Sequence, residues 1–207
     1  MVAIEKDRAF SQEHSPFEGI SGVGAIILNS RHEILVGVEN KSKSSSERTA
    51  GQLSIPLETL KPFEQRGNRK ALQLASLSEI ATDKHIEDWR SQLEQVQEDL
   101  VVTMNNAGVK AAIFIYHWTG EPEAMPFESS CSEEFGGLRW LSIEDMYKTG
   151  QVRPFADVAL KEAGSKGLLN GHNSVPLEFK NYVPSRYYNF RELHADVAIS
   201  TFSQNRG

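Results

Sequence analysis

Apolar positions follow two rhythms along the chain. The run GVGAIILN from Gly22, the polar residues SRH and the run EILVGVEN form two β-branched-rich segments joined by a short turn, which predicts a β-hairpin. Residues 40–50 (NKSKSSSERTA) have no apolar period and read as a charged loop, and GQLSIP (Gly51 to Pro56) reads as a short apolar strand ended by proline. After the loop KPFEQRGNRK, Ala71 opens ALQLASLSEIA, where Ala71, Leu74, Leu77 and Ile80 recur at helical spacing and predict about three turns with that stripe buried. Ile86, Trp89, Leu93, Val96 and Leu100 then alternate by threes and fours, so an extra helix is expected at about 83–100. Val109 to Trp118 (VKAAIFIYHW) is a strand of the kind buried on both faces, and the acidic loop GEPEAMPFESSCSEE follows it. Leu138 to Leu141 predicts a short strand. Ser142 is placed to cap a short helix with Glu144 and Asp145 in its first turn, and Pro154 opens another helix that Gly164 ends. The remaining residues are loop-like, and no internal repeat is visible.

Composition narrows the classes. The 207 residues carry 22 Lys and Arg against 28 Asp and Glu, a formal charge of −6, which argues against a protein that grips nucleic acid through a broad basic surface. The longest apolar run holds Lys110 and His117 and falls well short of the ~20 residues that cross a bilayer, so no membrane partner is expected. Glu5 and Asp7 stand where a secretory signal would be apolar, and Cys131 is the one cysteine, so a cytoplasmic protein without disulfides is expected.

Few residues outside the main pattern point to chemistry. His32, His85, His117, His172 and His194 have no metal-ligand spacing, and Cys131 lacks the flanking signature of a nucleophile. The GVG at residues 22–24 leads into a hairpin rather than a helix and is no dinucleotide fingerprint. The tail KNYVPSRYYNFR interleaves basic and aromatic residues, which suits stacking on bases or docking on the body or a partner chain.

The segments IPLETLKPFE (Ile55 to Glu64), FIYHWTGEP (Phe114 to Pro122) and RWLSIEDM (Arg139 to Met146), in this order of elements, resemble the Nudix superfamily over roughly residues 22–165. That family's strand–turn–helix box runs through Leu-Pro-Gly-Gly and Pro-Gly-Glu type turns into a helix of pattern Arg-Glu-apolar-x-Glu-Glu-x-Gly-apolar. The first segment keeps two prolines, Pro56 and Pro62, and the acid at Glu64. An ungapped alignment puts the opening glycine on Glu58 and the first glutamate on Glu64. The helix Arg falls on Leu72, its next Glu on Gln73, the paired Glu on Ser76 and Leu77, the Gly on Glu79, and the apolar sites on Leu74 and Ile80.

The resemblance implies a Nudix-like α/β/α sandwich with a mixed sheet, with an N-terminal arm at 1–20, a domain at 21–165 and a C-terminal extension at 166–207. It also implies a changed site. A divalent cation beside phosphates needs carboxylate oxygens, which Gln73, Ser76 and Leu77 do not supply, so no metal is expected. The candidates for catalysis are then Glu58, Glu64 and Glu79, and those for ligand contact are Glu58, Glu64, Gln73 and Ser76. A base could also come from Glu121, Glu123, Glu128, Glu133 or Glu134 of the acidic loop. The leading expectation is a protein that binds a nucleotide or related phosphorylated ligand without the family's metal-dependent hydrolysis, in a sensor, regulatory or accessory role. Two alternatives stand beside it. One is an atypical hydrolase of a nucleoside diphosphate linked to another group, which would need Mg²⁺. The other is an interaction scaffold that pairs with itself or a partner through the 83–100 helix or the tail.

Overall fold

The computed structural model describes residues 17–42, 49–61, 68–80, 89–96, 100–104, 109–121, 126–129, 132–169 and 175–179. In chain order these form β1 (Gly22–Leu28), β2 (Ile34–Glu39), β3 (Leu53–Ser54), β4 (Leu57–Thr59), α1 (Arg69–Ser76), β5 (Leu93–Gln95), β6 (Leu100–Met104), β7 (Val109–Trp118), β8 (Phe135–Leu141), α2 (Ile143–Lys148) and α3 (Pro154–Ser165). A 3-10 turn spans Leu177–Phe179.

The continuous apolar runs of β1 and β7 lie side by side in parallel, Gly22 opposite Ala111 through Leu28 opposite His117. Such runs suit strands buried on both faces. Ile26, Leu28, Ile113 and Ile115 meet Met146, Tyr147, Ala156 and Leu160 of α2 and α3 on one face. On the other, Val23, Ile27, Phe114 and Tyr116 meet Leu72, Leu77, Ile80 and Trp89. The remaining strand pairings are antiparallel, so the sheet is mixed and the chain is an α/β/α sandwich, as expected.

The polar turn SRH closes through Asn29. Its Oδ1 accepts from the backbone N of Arg31 (2.9 Å) and Glu33 (3.0 Å), and His32 takes a left-handed φ of 62°. Beyond this turn β1 and β2 diverge, and residues 53–59 fill the opening. β3 pairs with Gly37 and Val38 of β2, and β4 pairs with Gly22, Val23 and Gly24 of β1. Pro56 stands between the two strands, where its missing N–H costs nothing, and its carbonyl accepts from Ala25 N (3.0 Å). Gly24 permits this close approach, because a Cβ there would sit 2.5 Å from Leu57 Cδ2 and 3.0 Å from Pro56 O.

The expected helix at 83–100 needs correction. Trp89 and Arg90 are helical, but the chain turns at 91–92, and Leu93–Gln95 and Leu100–Met104 are strands laid end to end along β7. Val96 N also donates to Ile115 O (2.9 Å). The cause is the free edge of β7, a ten-residue apolar strand whose peptide groups need partners. A helical surface reaching residue 100 is therefore not available to a partner or a second copy. Residues 81–88, with Ile86, lie outside the described residues.

Helix α1 also departs from expectation. Asn68 caps it, Oδ1 accepting from Ala71 N (3.0 Å), so it starts at Arg69 and ends at Ser76, and tight turns carry the chain from Leu77 to Ile80. Leu72, Leu77 and Ile80 point inward, while Leu74 is 36% exposed and Ala71 is exposed, because the shorter helix and following turns shift the buried stripe. The last sheet strand, β8, begins at Phe135 rather than Leu138. Ser142 caps α2 through Asp145 N (3.0 Å), as expected. Phe17 and Ile20 enter one core, and Leu168, Leu169 and Val175 the other. The sequence-predicted aromatic tail beyond residue 179 lies outside the described residues.

Candidate functional site

The opening between β1 and β2 gathers charge. β3 is gripped by the strand leading to α3, Leu53 N donating to Gln151 O (2.7 Å) and Arg153 N to Leu53 O (2.8 Å). This brings the Arg153 side chain beside β2, where Nη1 donates to Glu39 Oε1 at 2.6 Å. Both side chains are buried, and Arg153 Nε has no acceptor. A buried pair of this kind is costly to break, because the survivor is left charged and desolvated.

Glu79, in the turn after α1, reaches the same opening. Its Oε2 accepts from Leu57 N (2.9 Å), which ties that turn to β4. Burial pushes its carboxyl up to about 8 from the ordinary 4.5. The Leu57 hydrogen bond opposes this, Glu39 and Glu58 add to it, and Arg153 opposes it. At pH 7 Glu79 is therefore mostly neutral. Glu58 is partly buried on β4 and its Oε1 accepts from the neighbouring Thr59 N (3.0 Å). Glu64 lies outside the described residues.

A second polar group lines the inner side of α1. Gln73 Nε2 donates to Gln95 Oε1 on β5, and Ser76 Oγ donates to Gln73 O (2.8 Å) and lies 3.3 Å from the Tyr116 hydroxyl on β7. Burial raises Tyr116 to about 12, against the lowering effects of the Ser76 hydrogen bond and of Arg90 and Arg69. The structure thus brings Gln73 and Ser76 together, and brings Glu79 and Glu58 together at the sheet opening.

Among the described residues, α1 and the turn after it do not supply the ionised carboxylates of a Nudix-type Mg²⁺ site. Helix α1 contains no carboxylate along Arg69–Ser76, Leu77 is buried, and Glu79 is neutral and already hydrogen-bonded. Among the described residues, no three His, Cys, Asp or Glu side chains come together closely enough to hold a metal ion. In the acidic loop, the exposed Glu133 and the half-buried Glu134 lie 3.4 and 3.8 Å from Lys41 Nζ, while Glu123 and Cys131 lie outside the described residues. His117 is partly buried within β7.

Sequence reasoning missed Glu39, Arg153, Gln95 and Tyr116. Glu39 ends an apolar strand and reads as a solvated terminus. Its partner is 114 positions away, and no local period reveals that pairing. Gln95 was hidden by the helical reading of its segment.

No protein-family model matches the chain, and no curated protein matches it. Among solved structures, a bifunctional NMN adenylyltransferase/ADP ribose pyrophosphatase from Francisella tularensis is 13% identical, aligns over 75% of this chain and has a TM-score of 0.48. This chain spans 42% of that protein's length. A NUDIX hydrolase from Nitrosomonas europaea is 16% identical over 80% of this chain and 99% of its own, with a TM-score of 0.41. The NUDIX domain of Shewanella oneidensis NrtR, complexed with ADP ribose, is 10% identical over 71% of this chain and 87% of its own, with a TM-score of 0.43. No helix among the described residues is long and apolar enough to cross a membrane.

Proposed function

We propose that this chain is a Nudix-like domain, with its body at 21–165, that binds a nucleotide or related phosphorylated ligand and does not perform metal-dependent diphosphate cleavage. The role is that of a sensor, regulator or accessory protein. The observation that carries the second half is the state of α1 and the turn after it. Where the sequence resemblance places the helix glutamates stand Gln73, Ser76 and Leu77. The first two are joined to Gln95 and Tyr116, and the third is buried. Burial favours the proton on the nearby acid, Glu79, whose Oε2 already accepts from Leu57 N. Mg²⁺ demands ionised oxygen ligands at about 2.0–2.1 Å, and neutral, internally satisfied groups hold it weakly. The ligand is placed at the sheet opening beside α1, with Glu58 and the Gln73 end of that helix as its contacts, while Ser76 supports Gln73 from the buried side; Glu64, the other candidate from the sequence, lies outside the described residues.

ADP ribose and AMP are the first probes, since the Shewanella oneidensis domain is described with the former and the Francisella tularensis protein with AMP and a manganese ion. The test is a thermal-shift series with both nucleotides, in EDTA and in excess Mg²⁺, with chromatography of each sample. A rise in melting temperature with nucleotide recovered intact is the expected result. Mg²⁺-dependent loss of ADP ribose that persists over repeated preparations would establish the atypical-hydrolase alternative, and Glu58→Gln and Glu64→Gln would then locate its acid.

A further inference from the structure

Phe127 is enclosed by all three tryptophans of the chain. Its ring centroid lies 4.9 Å from that of Trp89, 5.3 Å from Trp118 and 5.9 Å from Trp140, with interplanar angles of 76°, 66° and 75°. These are edge-to-face contacts, an arrangement that aromatic quadrupoles favour. The walls and the filling ring come from different kinds of segment. Trp118 ends β7 and Trp140 stands on β8, whereas Phe127 belongs to residues 126–129, which are neither helix nor strand. Trp118 is set by the turn after β7: Nε1 donates to Glu121 O (3.3 Å), and the indole lies over Gly120, where a Cβ would strike it. Phe127 reaches in from the loop, which is tied to the body by Glu128 N donating to Ile80 O (3.1 Å) and Ser129 Oγ donating to Phe135 O. Glu128 is exposed, so the buried phenyl ring lies directly beneath the surface.

Two features go beyond a plain aromatic cluster. Trp89 is 4% exposed, and its Nε1 is a buried donor with no acceptor among the described residues. Buried donors are ordinarily met, and the phenyl ring beside this one offers only its π face, a weak acceptor. The second feature is position. Trp118 lies two residues beyond Tyr116 on β7, hence on the same face and about 7 Å along the strand. Across the strand pair, Leu93 stands opposite Trp118, and Gln95, which accepts from Gln73, stands opposite Tyr116. The Ile80 carbonyl that takes Glu128 N follows Glu79, whose carboxyl reaches β4. The indole cage therefore adjoins both the Gln73 end of α1 and the turn that borders the sheet opening.

We propose that Trp89, Trp118 and Trp140 form the seat for the nucleobase of the ligand, and that Phe127 fills it as an internal stand-in which the base displaces. This rests on the reading that the chain binds a nucleotide, and it names how the base is recognised. A purine or pyrimidine is flat, like the phenyl ring, and carries acceptor atoms in its plane. Those atoms accept from Trp89 Nε1, which the phenyl edge cannot do, and the indoles offer aromatic surface to any base. The sugar and phosphates then extend along β7 toward Gln73 and the sheet opening. Withdrawing Phe127 gives up the burial of its side chain, so this competition lowers the chain's affinity for the base.

Because every tryptophan lines the cage, intrinsic fluorescence of the full chain reads this site and no other. The experiment is a fluorescence titration in EDTA with adenosine, AMP and ribose 5-phosphate. In wild type, adenosine and AMP are expected to quench saturably and ribose 5-phosphate to leave the emission unchanged. Phe127→Ala removes the competitor and is expected to tighten adenosine by about tenfold or more. Trp89→Phe keeps an aromatic wall without the N–H and is expected to weaken adenosine about fivefold, alone or combined with Phe127→Ala. An aromatic cluster with no ligand role predicts instead that Phe127→Ala admits benzene but not adenosine, or binds adenosine equally with and without the Trp89 N–H; either result overturns the seat. So does AMP that raises the melting temperature of wild type and leaves its fluorescence unmoved, and nucleotide binding then still stands. If far-UV melts show Phe127→Ala unfolded, the single Trp89→Phe variant decides, an unchanged adenosine affinity overturning the seat. Mg²⁺-dependent cleavage of ADP ribose would overturn the function proposed above instead, and adenosine, which has no diphosphate to cleave, still judges the cage.

Discussion

Glu79 keeps its proton at pH 7 because its carboxyl is buried beside Glu39 and Glu58, and this has a consequence for stability. Its folded-state value of about 8 lies above the ordinary 4.5, so between these limits the unfolded chain releases a proton that the folded chain retains. The group's contribution is complete below about pH 4.5 and is lost as the pH rises through about 8. Urea melts at pH 5 and pH 8.5 are expected to show wild type losing on the order of 4 kcal/mol relative to Glu79→Gln over that interval. Parallel pH profiles for the two proteins would mean that Glu79 is ionised in the folded state. The Glu39–Arg153 pair makes a second prediction. Arg153→Met removes the guanidinium that faces the buried Glu39 carboxylate and is expected to cost about 3–5 kcal/mol in chemical denaturation. Adding Glu39→Gln removes that carboxylate's charge and is expected to recover part of that loss. A single Arg153→Met variant as stable as wild type would show that the pair is solvated.

At the scale of elements, the opening between β1 and β2 depends on how closely β4 lies on β1. Gly24→Ala places a Cβ 3.0 Å from the Pro56 carbonyl and is expected to cost about 1–3 kcal/mol by pushing β4 outward. The same displacement lengthens the Leu57–Glu79 hydrogen bond, so amide exchange at Leu57 is expected to accelerate. Unchanged exchange there would show that β4 does not depend on this contact. Elements set by local signals were legible in the sequence: the hairpin with its polar SRH turn, the apolar β7, and the Ser142 cap of α2 all follow from neighbours a few residues apart. β5 and β6 were not legible. Leu93, Val96 and Leu100 fit a helical period, and the demand that makes them strands comes from β7, residues later in the chain. In α1, the Asn68 cap moves the start of the helix and with it the buried face, so Leu72 points inward where the apolar count favoured Leu74. The candidate site was half legible. Gln73, Ser76 and Glu79 came from the resemblance, whereas Arg153, Gln95 and Tyr116 reach the site only through sheet pairing and a salt bridge between distant positions.

Over the whole molecule, two cores on opposite faces of one sheet hold α1 on one side and α2 and α3 on the other. Burial of apolar side chains at roughly 1.5–3 kcal/mol each fixes these layers and, with them, the place of α1 beside the sheet opening. A hydrolase on such a frame uses ionised carboxylates along the helix to hold its cation. This chain has amide and hydroxyl groups there, an internal hydrogen-bond network and a neutral Glu79. The most direct test of that difference is one titration carried through two conditions. ADP ribose is added to the full chain in EDTA while heat is recorded, excess Mg²⁺ is then supplied, and the nucleotide is recovered and separated. The account predicts saturable heat before Mg²⁺ and unaltered ADP ribose after it. Silence in EDTA, or the appearance of AMP and ribose 5-phosphate once Mg²⁺ is present, would contradict it.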